Sequence, residues 1–429
     1  MDVLHNNSRR KPLSRTLQLR EAVLLTFCEP FPKTWEYTRL LHLSRKEWQD
    51  LLRWLDTSGL ALYFLSRIEE LSLSEIFPED ILLRLRQNLA DNTERMNRMV
   101  DESAAIQRKF QQAGLCYAVV KGFSLWPVSV RKLELRSQID QDFLVAEKHS
   151  SEARRILEEF GYRLNAISGK SWEFESNEDR PPSLKSMYKS GLRRSAELHL
   201  ETAEQPTGAE RISMLSRTQD LYFYGGIMPV LSPVDQFVGQ GVHVYKHICC
   251  EFLRAAHLIE FYRHVIALQY DNAFWSKARK QAGDNLDTCV RLGMVILLIS
   301  SVMGSFAPPA LTCWTVDRLP ATARLWVKMY GHRVALASSP GSKLYLLLQE
   351  EMKPIGLAAA RTRMQALLPR KLPSAIAQPA TGESMLAFIR RYPRRLRFIV
   401  FRFSFHLFEG IRYLREAILW RQCRNGVTQ

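Results

Sequence analysis

Strand-type patterns in this sequence are confined to residues 114–202, and helical periodicity dominates on both sides of that stretch. The predicted strands are residues 116–120, a segment ending at 143–145, an edge strand at 172–175 and a strand at 196–200. An amphipathic helix is expected between them, over residues 150–160. A chain with this pattern must be mostly helical, with one small α/β unit inserted into it.

Four regions follow from these patterns. We predict a helical region at 1–113, an α/β core at 114–230, a helical bundle at 231–310, and a proline-containing segment with a basic amphipathic helix at 311–429. The second helical region begins at Ser232, a good N-cap residue followed by Pro233. One long helix or two are expected over residues 81–112, which contain neither glycine nor proline.

The composition is that of a folded protein. Of the 429 residues, 46% are hydrophobic and 24% are charged, proportions that exclude a largely disordered chain. The seven cysteines have no CxxC spacing and fit reduced thiols better than a disulfide framework or a zinc ribbon.

The N-terminal residues lack the apolar part of a signal peptide. The most apolar run, residues 292–306, is shorter than the roughly 20 residues of a membrane span. We therefore expect a cytoplasmic protein with a buried helix there and no transmembrane segment.

The most informative segment is the RSQIDQDFLV run, which contains Asp140 and Asp142. Side chains alternate faces along a strand, so these two carboxylates point the same way, roughly 6–7 Å apart. Two carboxylates held together need a positive partner, and Mg²⁺ prefers hard oxygen ligands of this kind. A D-x-D pair by itself also fits a solvated strand end.

The surroundings of this pair favour a site that binds a phosphate ester. Lys121 and Gly122 follow the first predicted strand, where a glycine allows close approach of backbone to phosphates and a lysine supplies charge. Ser124 adds a hydroxyl. Glu197 and His199 share one face of a later strand. A third carboxylate is what a metal site needs to position an attacking hydroxyl.

These motifs together resemble the uncharacterised nucleotidyltransferase family of the DNA polymerase β-like superfamily. The residues that carry the resemblance are Lys121, Gly122, Arg136, Asp140, Asp142, Leu144, Val145, Gly161, Tyr162, Glu197, His199 and the Ser232, Pro233 and Asp235 helix start. The similarity covers roughly residues 15–310. It implies an α+β protein, mostly helical, with an inserted mixed-sheet core that binds NTP with Mg²⁺ or Mn²⁺.

Carried over by position, the resemblance makes Asp140 and Asp142 metal ligands and Glu197 the third acidic residue. Gly122 becomes the glycine of the phosphate loop, and we add Lys121, Ser124 and Arg136 as phosphate contacts and His199 as a nucleotide contact. Gln141 and Phe123 depart from the pattern. Gln141 replaces an apolar residue and would loosen strand packing, and Phe123 would alter the phosphate loop.

His243 and His247 lie four residues apart, on one face of a predicted helix. The HVYKH run lacks the glutamate of H-E-x-x-H, which excludes a zinc protease motif. The functional interpretation is that His243, Lys246 or His247 reaches the nucleotide or the acceptor from the helical bundle. A pair of satisfied polar residues at a domain interface is the alternative.

The basic surplus is concentrated in residues 390–429, which hold ten arginines and two glutamates, while the whole chain has a net charge of +16. Projected as a helix, one face of this segment is apolar. Opposite it lie Arg397, Arg402, Arg412 and Arg415, which share their arc with Phe398, Phe401, Phe405 and Phe408. Such a surface fits an anionic membrane, an RNA or an acidic partner. It also fits an ordinary docked helix with extended arginine side chains.

The expected function is Mg²⁺-dependent transfer of a nucleotidyl group from an NTP to an acceptor hydroxyl. The acceptor is left open among RNA, protein and small molecule. The competing hypothesis is a catalytically weak or inactive protein of the same fold that binds a nucleotide, an RNA or a partner.

Overall fold

The computed structural model describes residues 13–30, 37–177, 183–184, 186–202, 213–283, 285–353, 363–367 and 385–426. The α-helices in these residues are α1 (Arg15–Leu25), α2 (Arg45–Ser58), α3 (Ala61–Glu70), α4 (Glu79–Gln112), α5 (Ser150–Glu159), α6 (Pro233–Ile248), α7 (Ala255–Ala267), α8 (Asn272–Ala282), α9 (Leu286–Met303), α10 (Pro309–Thr312), α11 (Ala321–Ala335), α12 (Tyr345–Met352), α13 (Arg363–Leu367) and α14 (Met385–Asn425). The α+β class predicted from the sequence is confirmed, with helices on both sides of one sheet segment in the chain.

The strands form one mixed sheet. They are β1 (Tyr117–Val120), β2 (Asp140–Ala146), β3 (Tyr162–Ser168), β4 (Ser171–Ser176), β5 (Ser195–Glu201), β6 (Gln219–Phe223) and β7 (Gly226–Val230). Their order across the sheet is β3-β4-β5-β2-β1-β7-β6. Strand β2 is antiparallel to β1 and parallel to β5, so the strands that carry the predicted site residues lie side by side in the middle of the sheet.

One strand prediction was wrong. The segment at 172–175 is not an edge strand, because β4 pairs with β3 on one side and β5 on the other. Its alternation has a different cause: Phe174 is buried while Glu173 is exposed. The pattern therefore reports a sheet with one solvent-accessible face and says nothing about position within the sheet.

The single long helix α4 joins two hydrophobic cores. Near its beginning, Ile81, Leu82 and Leu85 pack in a core shared by the N-terminal helices and the later bundle. Near its end, Met96 to Phe110 pack in the core beneath the sheet. The sheet and the helical bundle are thus connected by one continuous helix, which sets their relative position.

The helices before and after the sheet share a single core, to which α1–α3, α6–α9, α11 and α12 contribute. Helix α9 lies inside this bundle. It is the one helix in the described residues that is long and apolar enough to cross a membrane, but most of it is buried by the surrounding helices. The apolar run at 292–306 is therefore accounted for as a core helix. The seven cysteines all lie in the described residues, and none of them forms a disulfide.

Candidate active site

The sheet register brings residues from three strands into one place. Val120, the last residue of β1, is the pairing partner of Asp142 on β2. On the other side of β2, Asp142 is the partner of Glu197 on β5. His199 follows Glu197 by two positions and so points to the same face. Residues far apart in the chain therefore converge because β2 lies between β1 and β5.

The convergent side chains form a close polar group, which we call the acidic group: Lys121, Asp142, Glu197 and His199. The Nζ atom of Lys121 lies 2.7 Å from Oδ1 of Asp142 and 3.5 Å from Oε2 of Glu197. The Nε2 atom of His199 is 3.0 Å from the same Asp142 oxygen and 3.4 Å from the Glu197 oxygen. Ligand atoms of Asp142, Glu197 and His199 all lie within 4.8 Å of one another.

The two carboxylates of this group have opposite electrostatic environments. Asp142 is buried, and burial raises its pKa, with a further contribution from the charge of Asp140. Burial also acts on Glu197, but hydrogen bonding and charge attraction from His199 and Lys121 outweigh it and lower its pKa. Burial lowers the pKa of His199, yet its contacts with both carboxylates raise it overall. The protonation state of each residue in this group therefore depends on the charges of the others.

Asp140 does not belong to this close group. It is exposed at the first position of β2, on the same face as Asp142. Its charge reaches the site, since it raises the pKa values of both Asp142 and Lys121. The structure thus places the two predicted aspartates differently, one buried among partners and one at the exposed rim.

Gln141, expected to loosen the strand, has a defined role on the opposite face of β2. Its amide donates to Glu102 of α4 at 2.9 Å and to the hydroxyl of Tyr162 at 3.4 Å. The Tyr162 hydroxyl donates in turn to Glu102, also at 2.9 Å. The polar residue therefore anchors β2 to α4 through a buried network.

The loop after β1 has the backbone shape expected of a glycine-containing turn. Lys121 and Gly122 both have positive φ angles, 54° and 38°. A side chain at Gly122 would meet the amide of Gln138 at 3.2 Å, so this position has little room for anything larger. The Ser124 hydroxyl donates to the Lys121 carbonyl at 2.8 Å and holds the turn. Phe123 is buried and packs against Phe223.

Arg136 connects the sheet region to the helical bundle. Its Nε atom donates to Oε1 of Glu260 on α7 at 3.0 Å, and the Tyr63 hydroxyl donates to the same oxygen at 3.0 Å. Glu260 is buried. Burial lowers the pKa of Arg136, but the charges of Glu260 and Asp140 raise it overall. The guanidinium is therefore a permanent positive charge beside the site.

A cleft of about 1800 Å³ lies between the sheet and the bundle. Lys121, Ser124, Arg136 and His199 line it from the sheet side. From the bundle side it is lined by His243, His257, Glu260, Asp287 and Arg291, among others. This volume exceeds that of a typical small-molecule pocket, roughly 300–1,000 Å³, and leaves space for two reactants.

Three histidines of the bundle lie together, and we call them the histidine cluster: His243, His247 and His257. His243 and His257 line the cleft, and His247 lies behind them. The Nε2 atoms of His243 and His247 are 3.2 Å apart, and the ring of His257 is 4.7 Å from that of His247, centre to centre. Burial lowers the pKa of His243 to about 3 and that of His247 to about 4, with nearby positive charges adding to the effect. The pKa of His257 is lowered for the same reasons. These imidazoles are neutral near pH 7.

Sequence reasoning missed two partners in this region. His257 joins the pair on α6 from the next helix, α7, so no spacing in the sequence indicates the contact. Arg217 forms a two-pronged ion pair with Asp235, with both nitrogen–oxygen distances at 2.9 Å. The Ser232 and Asp235 motif was the available signal for that second contact, but it indicated only a helix start.

Comparison with known proteins identifies the family. A model of the family described as uncharacterised nucleotidyltransferase matches residues 44–299, more than half of the chain. A search of curated proteins returns no match.

Two solved structures are similar over part of the chain. The lincosamide antibiotic adenylyltransferase LnuA, bound to lincomycin, is 15% identical, with 32% of this chain and 83% of that chain covered and a TM-score of 0.25. An antigenic nucleotidyltransferase-like protein from Paracoccidioides brasiliensis is 12% identical, with 52% and 97% covered and a TM-score of 0.29. The family assignment depends on the family model, and by that match the chain is a nucleotidyltransferase, a member of the uncharacterised nucleotidyltransferase family.

Proposed function

We propose that this protein transfers a nucleotidyl group from an NTP to an acceptor hydroxyl in an Mg²⁺-dependent reaction. The acceptor oxygen forms a bond to the α-phosphorus, the bond from the α-phosphorus to the bridging oxygen breaks, and pyrophosphate leaves. The observation that carries this proposal is the acidic group, of which Lys121 and His199 line a cleft large enough for two substrates. Family membership supports the general reaction.

The residues of the acidic group fit a divalent cation such as Mg²⁺, with Mn²⁺ as an alternative. Asp142 and Glu197 offer hard carboxylate oxygens within a short distance of one another. We assign these two residues as ligands and Asp140 as a further acidic ligand from the rim. When bound, the cation supplies charge neutralisation to the phosphates.

Glu197 is the candidate for orienting or deprotonating the acceptor hydroxyl. Its lowered pKa keeps the carboxylate ionised and able to accept a hydrogen bond. Ser171 donates to its other oxygen and fixes the carboxylate. His199 contacts Glu197 and Asp142 together and can share the proton that leaves the acceptor.

Positive groups around the cleft suit the triphosphate. Lys121 is held on Asp142 by an ion pair, and its flexible side chain can turn to a phosphate oxygen. Arg136 contributes a fixed charge, and Gly122 lets the backbone come close. Ser124 holds the loop through the Lys121 carbonyl. In this proposal the triphosphate is bound jointly by the backbone of the turn and by the charges of Lys121 and Arg136.

The neutral histidine cluster faces these groups from the bundle side. A neutral imidazole can donate or accept a hydrogen bond without adding charge. We propose that His243 and His247 contact the nucleobase, the ribose or the acceptor, which are the uncharged parts of the two substrates.

Label transfer tests this function. The protein is incubated with Mg²⁺ and each of the four NTPs labelled at the α-phosphorus, together with cell extract, and RNA, protein and small molecules are then separated. We expect label in one of these fractions from α-labelled NTP and none from γ-labelled NTP. Asp142→Asn should abolish the transfer. Transfer of the γ-label instead would contradict the assignment, because it indicates phosphoryl transfer.

A second candidate is a nucleotide-binding protein without transfer activity. The observation that favours it is the position of Lys121, whose ammonium already neutralises Asp142 at 2.7 Å and would compete with a cation. Nucleotide binding without label transfer from any α-labelled NTP would support this candidate.

A further inference from the structure

Among its described side chains, helix α14 contacts the bundle through one face. Tyr413 and Trp420 on this face are buried. The carboxylate of Glu416 accepts from Arg333 at 2.8 Å, and the indole of Trp420 donates to Glu351 at 3.3 Å. These contacts join α14 to α11 and α12 and fix which side of the helix faces the protein.

The apolar face of α14 lies away from this attached face and points to solvent. Its residues recur at helical spacing, and each side chain is between 49% and 69% exposed: Val400, Phe403, Leu407, Ile411, Leu414 and Ile418. At 100° per residue they are centred about 130° around the helix from Tyr413 and Trp420. The helix is therefore docked on the protein through Tyr413 and Trp420, and its apolar stripe is left uncovered. An exposed apolar stripe of this length marks an interaction surface.

The charge around the stripe selects among partners. Arg415 and Arg421 are exposed beside it, and residues 390–429 hold ten arginines against two glutamates. A second copy of the chain would bring one arginine-rich surface against another, and like charges would repel. An anionic lipid surface instead offers both an apolar layer for the stripe and phosphates for the arginines.

We propose that α14 binds the surface of an anionic membrane, lying in the plane of the interface with its apolar stripe inserted. The attachment of its other face to α11 and α12 then holds the helical bundle, and with it the candidate active site, against the bilayer. This is a surface contact by an amphipathic helix and involves no membrane-spanning segment.

Vesicle co-sedimentation of the full-length protein tests this proposal. Vesicles of phosphatidylcholine alone are compared with vesicles that contain 30% phosphatidylglycerol. We expect binding at least tenfold tighter to the anionic vesicles, and weaker binding as salt is raised. The double variant Arg415→Gln and Arg421→Gln should lose roughly tenfold or more in affinity for the anionic vesicles, since each arginine near the surface contributes about fivefold.

A charge placed in the stripe provides the second arm. Leu407→Glu should abolish vesicle binding and leave the unfolding temperature unchanged, because the side chain is exposed. Leu83→Glu is the matched control: Leu83 is 57% exposed on α4, away from α14, and its variant should bind like the parent. Equal binding to both vesicle types, or none to either, would overturn the proposal. A dimer in solution that Leu407→Glu converts to monomer would overturn it as well, because the stripe would then bind a second copy.

Discussion

At the residue scale, the position of Asp142 depends on the network on the other face of its strand. Gln141, Tyr162 and Glu102 tie β2 to α4. Tyr162→Phe removes a buried hydrogen bond to a carboxylate, so we expect the free energy of unfolding to fall by about 1–2 kcal/mol. Tyr222→Phe is the control, because Tyr222 is exposed, and it should have almost no effect. Urea denaturation measures both. Equal effects of the two substitutions would refute the role of the network.

Arg136 is the second residue whose contribution can be measured. Arg136→Met leaves Glu260 buried without its charged partner, so we expect a loss of about 3 kcal/mol in the free energy of unfolding. Arg131→Met breaks the exposed ion pair with Glu29, which should cost less than about 1 kcal/mol. Thermal and urea unfolding of the two variants test this difference. A smaller loss for Arg136→Met than for Arg131→Met would contradict the account of Arg136 as the buried link between sheet and bundle.

At the element scale, α6 brings His243 to the cleft, and its N-terminus is capped by Ser232. The Ser232 hydroxyl accepts from the backbone N–H of Asp235 at 3.2 Å. Ser232→Ala should lower the free energy of unfolding by about 1 kcal/mol, and Ser232→Thr should retain most of it. Ser14 precedes α1 without a side-chain cap, so Ser14→Ala is the control and should be neutral. A neutral Ser232→Ala would show that the cap does not stabilise α6.

The sequence predicted the elements well where one physical signal dominates. The start of α6 follows from Ser232 and Pro233, and the strands at β1, β2 and β5 follow from alternation and β-branched residues. Strand β3 and the hairpin of β6 and β7 were missed, because exposed positions in them hold apolar residues, Ile167, Tyr222 and Ile227, which hide the alternation. The position of a strand within the sheet could not be predicted either, as β4 shows, because it depends on pairing between distant segments.

The candidate site was predictable in its residue types and less so in its geometry. The shared face of Glu197 and His199 follows from alternation, and their approach to Asp142 needed the parallel pairing of β2 and β5. The ion pair of Lys121 with Asp142 depends on a positive φ turn that no propensity specifies. His257 meets His247 only because α6 and α7 pack together.

At the scale of the whole molecule, the histidine cluster makes stability depend on pH. The pKa of His243 is lowered to about 3 and that of His247 to about 4, whereas an unfolded histidine titrates near pH 6.5. Between these values the unfolded chain binds more protons than the folded one. Stability from this cluster is therefore complete above pH 6.5 and is lost as the pH falls toward 4.

As the pH falls from 6.5 to 4.5, we expect the cluster's contribution to the free energy of unfolding to decrease by on the order of 1–3 kcal/mol. His247→Gln should reduce this slope, whatever its effect at pH 7. His42→Gln is the control, because His42 is exposed outside the cluster, and it should leave the slope unchanged. Urea denaturation at several pH values measures it. An unchanged slope in His247→Gln would show that the cluster is not the source.

The central claim is that Asp142 and Glu197, with Asp140 at the rim, bind the divalent cation that accompanies the nucleotide. Calorimetric titration with a non-hydrolysable ATP analogue, in the presence and absence of Mg²⁺, tests it most directly. We predict Mg²⁺-dependent binding that falls at least tenfold in Asp142→Asn, Glu197→Gln and Asp140→Asn. Glu173 lies opposite Glu197 in the register of β4 and β5, and its carboxylate is exposed. The control variant Glu173→Gln should therefore bind normally. Unchanged Mg²⁺-dependent binding in Asp142→Asn and Glu197→Gln would contradict the account.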